Sequence, residues 1–193
     1  MKFEWCVYAQ CCHRPTGAEF HDAPHGIFDP VGVEKILDEE TTMPQSFAQI
    51  YLHIVFSTKT RQRFLIADQL REQLHAYIVG ICKNQDSPTI MVGGAEDHVH
   101  LLCCLDRQKT VADLVRDVKS DSSKWIKQQN TDLRDFEWQA GYGAFSISPS
   151  HKEILKRYIA NQMEHHRKES FQDELRRLFQ KYNVTYDERY VWD

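Results

Sequence analysis

The sequence predicts an α+β protein built on a ferredoxin-like antiparallel sheet, the split β-α-β kind. Three observations predict it. Four short runs are rich in Ile, Val, Tyr and Phe, as strands are. Two long stretches between them repeat apolar residues at helical spacing. The resulting order, β-α-β-β-α-β followed by two more helices, has six leading elements that match this arrangement. In it the first and third strands lie side by side at the sheet centre, with two helices on one face. The C-terminal helices are extra.

Each element has its own warrant. QIYLHIVFS (49–57) is the first strand. IADQLREQLHAYIVGICKN places Ile66, Leu70, Leu74, Tyr77, Ile78 and Ile81 on one helical face. PTIMVGG is a second strand, with Gly93 and Gly94 read as the turn into a third, HVHLLCCL (98–105). TVADLVRDVKSDSSKWIKQQ lines up Val111, Leu114, Val115, Val118, Trp125 and Ile126 as a second helix. YGAFSIS (142–148) is the fourth strand. SHKE (150–153) reads as a capping box opening a helix to about residue 167. SFQD (170–173) caps another, with Leu175, Leu178, Phe179 and Tyr182 as its stripe. The tail NVTYDERYVWD is expected to add a short extended piece.

A chain of 193 residues buries a full core and suggests one domain with an appended segment. Residues 1–42 are that segment. They are Pro- and Gly-punctuated and irregular, with three basic and eight acidic residues, against 21 and 20 in residues 43–193. The boundary is placed at Met43, and the segment is expected to be weakly ordered and of unknown role. The net charge of -4 is therefore mostly a property of the extension, and a near-neutral domain still binds a phosphate backbone if its cations cluster. No apolar stretch approaches the roughly 20 residues of a membrane helix. The N-terminus, interrupted by Glu4, His13 and Arg14, makes a poor signal peptide, so a cytoplasmic protein is expected. The six cysteines, among them adjacent Cys103 and Cys104 in an apolar run, read as buried thiols in a reduced compartment.

The chemistry concentrates in EDHVHLL (96–102). On a strand His98 and His100 point the same way while Val99 points the other. They were to face the side the helices leave open, or its rim. Paired neutral imidazoles suit a divalent metal or a group poised over a phosphate; half-exposed surface histidines are the plainer reading. On the later helix Ile154, Tyr158 and Gln162 line up beside a purely apolar Leu155, Ile159 and Met163 line. Tyr158 offers a phenol and Gln162 an amide oxygen for a hard metal, or else a boundary aromatic and a surface amide. His53 stands on the strand beside the third, and Asp97 is placed to orient an imidazole. His165 and His166 are adjacent and splay apart on a helix, which argues against extra ligands; His165 is a candidate contact to DNA or a phosphate, with surface basic residues near a helix C-terminus as the plainer reading.

HVH at 98–100, Tyr158-x-x-x-Gln162, GYGAFSIS before that helix and NQMEHHRKESFQDE within and after it resemble the single-tyrosine HUH transposases. These are enzymes of bacterial insertion sequences, with REP-associated tyrosine transposases as relatives. The resemblance runs from Met43 to the C-terminus and leaves residues 1–42 unaccounted for. It implies that His98, His100 and Gln162 hold a divalent cation, Mg²⁺ or Mn²⁺, and that Tyr158 is the nucleophile. The implied reaction cleaves and rejoins single-stranded DNA through a 5′-phosphotyrosine, without ATP. It implies hairpin-containing element ends as partner, a bacterial protein bound at the nucleoid, and a homodimer pairing one subunit's His98 and His100 with the other's Tyr158.

Lys59, Arg61 and Arg63 follow the first strand, and Lys119 and Lys127 lie opposite the second helix's apolar stripe. They are candidate DNA contacts, with a solvated loop and face as the plainer reading. Cys6, Cys11, Cys12 and His13, with His21 and His25, match no zinc spacing. Two other functions compete with strand transfer: a catalytically silent hairpin-binding module, and a small metal-dependent phosphodiester hydrolase.

Overall fold

A computed structural model describes residues 47–166 and 169–192. The expected irregular extension 1–42, its cysteines and the boundary placed at Met43 lie outside them. The elements are β1 (Ile50–Ser57), α1 (Asp68–Asn84), β2 (Thr89–Gly94), β3 (His98–Leu105), α2 (Val111–Lys127) and β4 (Gly143–Ile147). Then follow α3 (Lys152–Ala160), α4 (Gln162–His165), α5 (Phe171–Lys181) and α6 (Glu188–Val191). The sheet is antiparallel with order β2-β3-β1-β4, so β1 and β3 are central, as the split β-α-β arrangement requires.

The period of two along the central strands sorts their side chains into two cores. Leu52, Ile54 and Phe56 of β1 and Val99, Leu101 and Cys103 of β3 pack with Leu74 and Ile78 of α1 and Leu114 and Val118 of α2. The opposite face carries Tyr51 and Val55 of β1 with Leu102 and Cys104 of β3. It is covered by Ile159 of α3 and by Phe171, Leu175, Leu178 and Phe179 of α5. This face was expected to be open around the histidines. It is roofed, because its other positions are apolar and need cover as much as the first face does.

Five further expectations change. Gly93 and Gly94 are strand residues, opposite His100 and Val99, and the turn is Ala95-Glu96-Asp97. A Cβ on Gly93 would sit 2.5 Å from the Ile159 carbonyl oxygen, so this glycine is the seat of α3. Residue 150 does not cap α3 in a box. Pro149 starts a 3₁₀ turn one residue earlier, and the Ser148 hydroxyl engages Ser150 and His151 instead. The long helix through 167 breaks at Asn161, whose N–H is shared between the Arg157 and Tyr158 carbonyls at 3.2 Å each. The tail forms α6, capped by the Asp187 side chain on the Arg189 N–H, in place of an extended piece. Helix α1 begins at Asp68, leaving Ile66 outside it and exposed. The cap expected at Ser170 forms, on the Asp173 N–H at 3.2 Å.

Candidate metal and nucleophile site

Register places the histidines. His100 lies opposite Val55 and His98 opposite Ser57, and His53, two residues before Val55, shares their face as a diagonal neighbour. His98 and His100 are fully buried. Asp97, the last turn residue, sits 2.7 Å from His98 Nδ1, and His53 Nε2 sits 2.9 Å from His100 Nδ1. Each imidazole is thus held through Nδ1, which leaves Nε2 facing inward.

The roof supplies what these nitrogens face. His98, His100, His166 and Glu174 each bring one ligand atom to a cluster whose atoms all lie within 4.8 Å of one another. Glu174 Oε1 is 3.4 Å from His100 Nε2, and Glu174 Oε2 is 2.9 Å from His166 Nε2. These contacts are close but not aligned as hydrogen bonds. His98 Nε2, His100 Nε2, His166 Nε2 and Glu174 Oε2 are buried and make no hydrogen bond. A buried polar atom left unpaired costs about 1–3 kcal/mol, so four converging on one space need a common partner. A divalent cation fits that requirement.

Tyr158 arrives from α3 on the same chain. Its hydroxyl donates to Glu174 Oε1, and its ring centroid is 6.1 Å from that of His100. Gln162, one turn on and also buried, donates its Nε2 to the same Oε1 at 3.0 Å, while its own Oε1 is buried without a hydrogen bond. Arg177 of α5 closes the outer side. Its Nη2 lies 3.2 Å from the Tyr158 oxygen and 2.9 Å from Glu169 Oε2, which also pairs with His165 at 2.6 Å.

The electrostatics follow from burial and charge. Burial drops the His98 imidazole to about 4 although Asp97 opposes it, so His98 is neutral and its nitrogen lone pair is available. Burial alone would raise the Glu174 carboxyl; His100, His166 and Tyr158 outweigh it and hold it well below the usual range. Tyr158 is pushed well above an ordinary phenol by burial and then by the Glu174 charge, with Arg177 and Gln162 acting the other way. In this arrangement the phenol keeps its proton and donates it in a hydrogen bond to the Glu174 carboxylate.

Glu174 and His166 were not anticipated as site residues. Glu174 had a signal: it falls on the α5 apolar stripe between Phe171 and Leu178, where an acidic residue is buried and needs partners. His166 is four residues after Gln162, on the Tyr158–Gln162 line. His165 instead faces Glu169 and Arg177.

The candidate DNA contacts divide between two clefts. Lys119 and Lys127 line one of about 510 Å³ between α2 and residues 137–142. Lys59 reaches its edge through Glu137, at 2.5 Å. Lys119 also clamps that segment, donating to the Gln139, Ala140 and Gly141 carbonyls at 2.9, 3.3 and 2.6 Å. Arg63, paired with Glu96, lines a second cleft of about 410 Å³ together with Asp97, Met163, His166 and Phe171, beside the ligand cluster. Arg61 sits over the Trp192 ring at 5.9 Å. Among the described residues no helix is long and apolar enough to cross a membrane.

Residues 46–162 match the family model described as IS200-like transposase. The match stops at Gln162, before His166 and Glu174. Comparison with curated proteins gives no match. Among solved structures, a candidate transposase from Deinococcus radiodurans R1 is 19% identical, with a TM-score of 0.49 over 63% of this chain and 96% of that one. A REP-associated tyrosine transposase bound to a REP hairpin is 13% identical, with a TM-score of 0.46 over 62% of this chain and 70% of that one.

Proposed function

The chain belongs to the IS200-like transposase family, whose model spans 46–162, and on that premise we propose that it cleaves and rejoins single-stranded DNA through Tyr158. One observation carries the reading: the Tyr158 hydroxyl rests on Glu174, whose carboxylate also faces the inward nitrogens of His98, His100 and His166. A nucleophile and a cation-competent cluster meet on one side chain. The Tyr158 oxygen attacks phosphorus, and the bond from phosphorus to the 3′ oxygen breaks. The proton starts on Tyr158, passes by way of the Glu174 carboxylate and ends on the leaving 3′ oxygen, and the 5′-phosphotyrosine conserves the phosphodiester bond energy, so rejoining needs no nucleotide.

His98, His100, His166 and Glu174 are the residues that would hold the cation. Gln162, expected as third ligand, keeps Glu174 in place through its amide N–H, and its unpaired Oε1 remains a further donor. Three imidazoles and one carboxylate favour Mn²⁺ over Mg²⁺, which prefers oxygen ligands and retains water. Bound there, the cation would supply charge neutralisation and positioning for the scissile phosphate. Arg177, beside the Tyr158 oxygen, steadies the charge that develops as the proton leaves. The 410 Å³ cleft edged by Arg63 and His166 is the approach for the strand, and the Lys59–Lys119–Lys127 cleft holds its flank. A hairpin-bearing strand is the partner that the family resemblance favours. Tyr158 lies against its own chain's histidines, which supports a site completed in cis rather than exchanged across a homodimer.

Incubation with single-stranded hairpin DNA and Mn²⁺, followed by a denaturing gel, tests the reading. A covalent protein–DNA band is expected. Free cleaved ends without an adduct would mean a hydrolase, and retardation on a native gel alone would mean a binding module.

A further inference from the structure

His53 is buried on β1, and none of the steps above uses it. Its Nε2 lies 2.9 Å from His100 Nδ1, with the rings 20° from parallel, and its own Nδ1 is buried without a hydrogen bond. Two ring nitrogens at that distance share one proton, so the tautomers of the two histidines are coupled. With the proton on His53 Nε2, a neutral His100 carries its own on Nε2, 3.4 Å from Glu174 Oε1, and that nitrogen cannot bind a metal. With the proton on His100 Nδ1, His100 Nε2 is a bare lone pair facing the cluster, and a neutral His53 carries its proton on Nδ1. Both arrangements hold two protons, so the exchange balances without gain or loss.

We propose that His53 is a positioning residue for the cation site: with a cation bound, its bare Nε2 accepts a hydrogen bond from His100 Nδ1–H, and with the site empty its Nε2–H donates one to a bare His100 Nδ1. The inference rests on the proposed metal centre. It makes the two strand ligands unequal. Asp97, a carboxylate, backs His98 permanently, whereas an imidazole that can donate or accept backs His100. His100 is therefore the ligand whose availability follows occupancy, its Nε2 carrying a proton beside the Glu174 carboxylate in the cation-free protein.

The test reads tautomers directly. Side-chain ¹⁵N spectra of the full chain, histidine-labelled, are recorded cation-free and with Zn²⁺, a diamagnetic probe suited to imidazole. The proton on His53 should move from Nε2 to Nδ1 as Zn²⁺ is added. A His53 tautomer that is the same in both states overturns the proposal. Mn²⁺ titration by calorimetry adds a second readout. His53→Phe keeps the ring packing but leaves His100 without its acceptor, and should weaken Mn²⁺ on the order of tenfold. His53→Gln restores a carbonyl acceptor and should stay within a few-fold of wild type, each variant being checked for a wild-type circular dichroism spectrum. Equal losses in both variants, or none in His53→Phe, would mean that the ring only packs. A wild-type chain that binds neither cation overturns the functional reading along with this one, whereas binding with an unmoved His53 overturns this one alone.

Discussion

Tyr158 differs from a phenylalanine by one oxygen, and that oxygen is the atom the proposed chemistry needs. Tyr158→Phe should therefore leave thermal unfolding within about 1 kcal/mol of wild type and keep hairpin retardation, while the covalent band disappears. An adduct persisting in that variant would remove the residue from its role. Glu174 is the second atom-level bet, since its charge faces His100 and His166 while its Oε1 takes the Tyr158 and Gln162 donors. Glu174→Gln keeps the volume and removes the charge; Mn²⁺ affinity by calorimetry should fall at least about tenfold. His75 on α1, outside the ligand set, gives a pH signature. Burial, then the charges of Arg71 and His98, lowers it from 6.5 to about 4. The unfolded chain then takes up its proton first, so stability is complete above about pH 6.5 and is lost as pH falls toward 4. The drop in urea midpoint between pH 7 and pH 5 should shrink in His75→Gln, and an unchanged drop would deny His75 that contribution.

At the scale of elements, β2 and α3 decide where the nucleophile sits. Gly93 lets the Ile159 backbone rest on the strand, and Ile159 is the residue after Tyr158. The break at Asn161 then turns the chain so that Gln162, buried on α4, still reaches Glu174. Gly93→Ala puts a Cβ into the Ile159 carbonyl and must lift α3. It should cost about 1–3 kcal/mol in thermal unfolding. Adduct formation should fall further than that loss explains, because the Tyr158 oxygen is displaced. Stability and adduct yield falling in step would mean that α3 is only packing. Helix α5 is the other decisive element. Its stripe of Phe171, Leu175 and Leu178 anchors it on the sheet, and Glu174, on the same stripe, is delivered to the histidines by that anchoring.

For the molecule as a whole, one chain brings the histidine pair, its roof and the tyrosine together. A mixture of His98→Ala/His100→Ala protein with Tyr158→Phe protein, allowed to exchange subunits, should therefore recover no cleavage, because every site stays broken in cis. Recovered cleavage in a mixture containing heterodimers would show that the tyrosine crosses to a partner.

The order of the first six elements, the pairing of β1 with β3 and the shared face of His98 and His100 were all legible in the sequence. They rest on periods of 2 and 3.6, which are local properties of the chain. Tyr158 and Gln162 were legible as candidates for the same reason, and Asp97 and His53 as neighbours of the pair. What the sequence could not place was the roof. Whether α3 and α5 cover the histidine face depends on long-range packing, on Gly93 accepting a backbone and on an apolar stripe finding the one uncovered side of the sheet. That packing converts His166, read as a surface histidine, and Glu174, unremarked in its helix, into members of the cluster. It also sets the protonation chemistry: burial, a property of the folded chain alone, keeps His98 neutral and the Tyr158 proton in place.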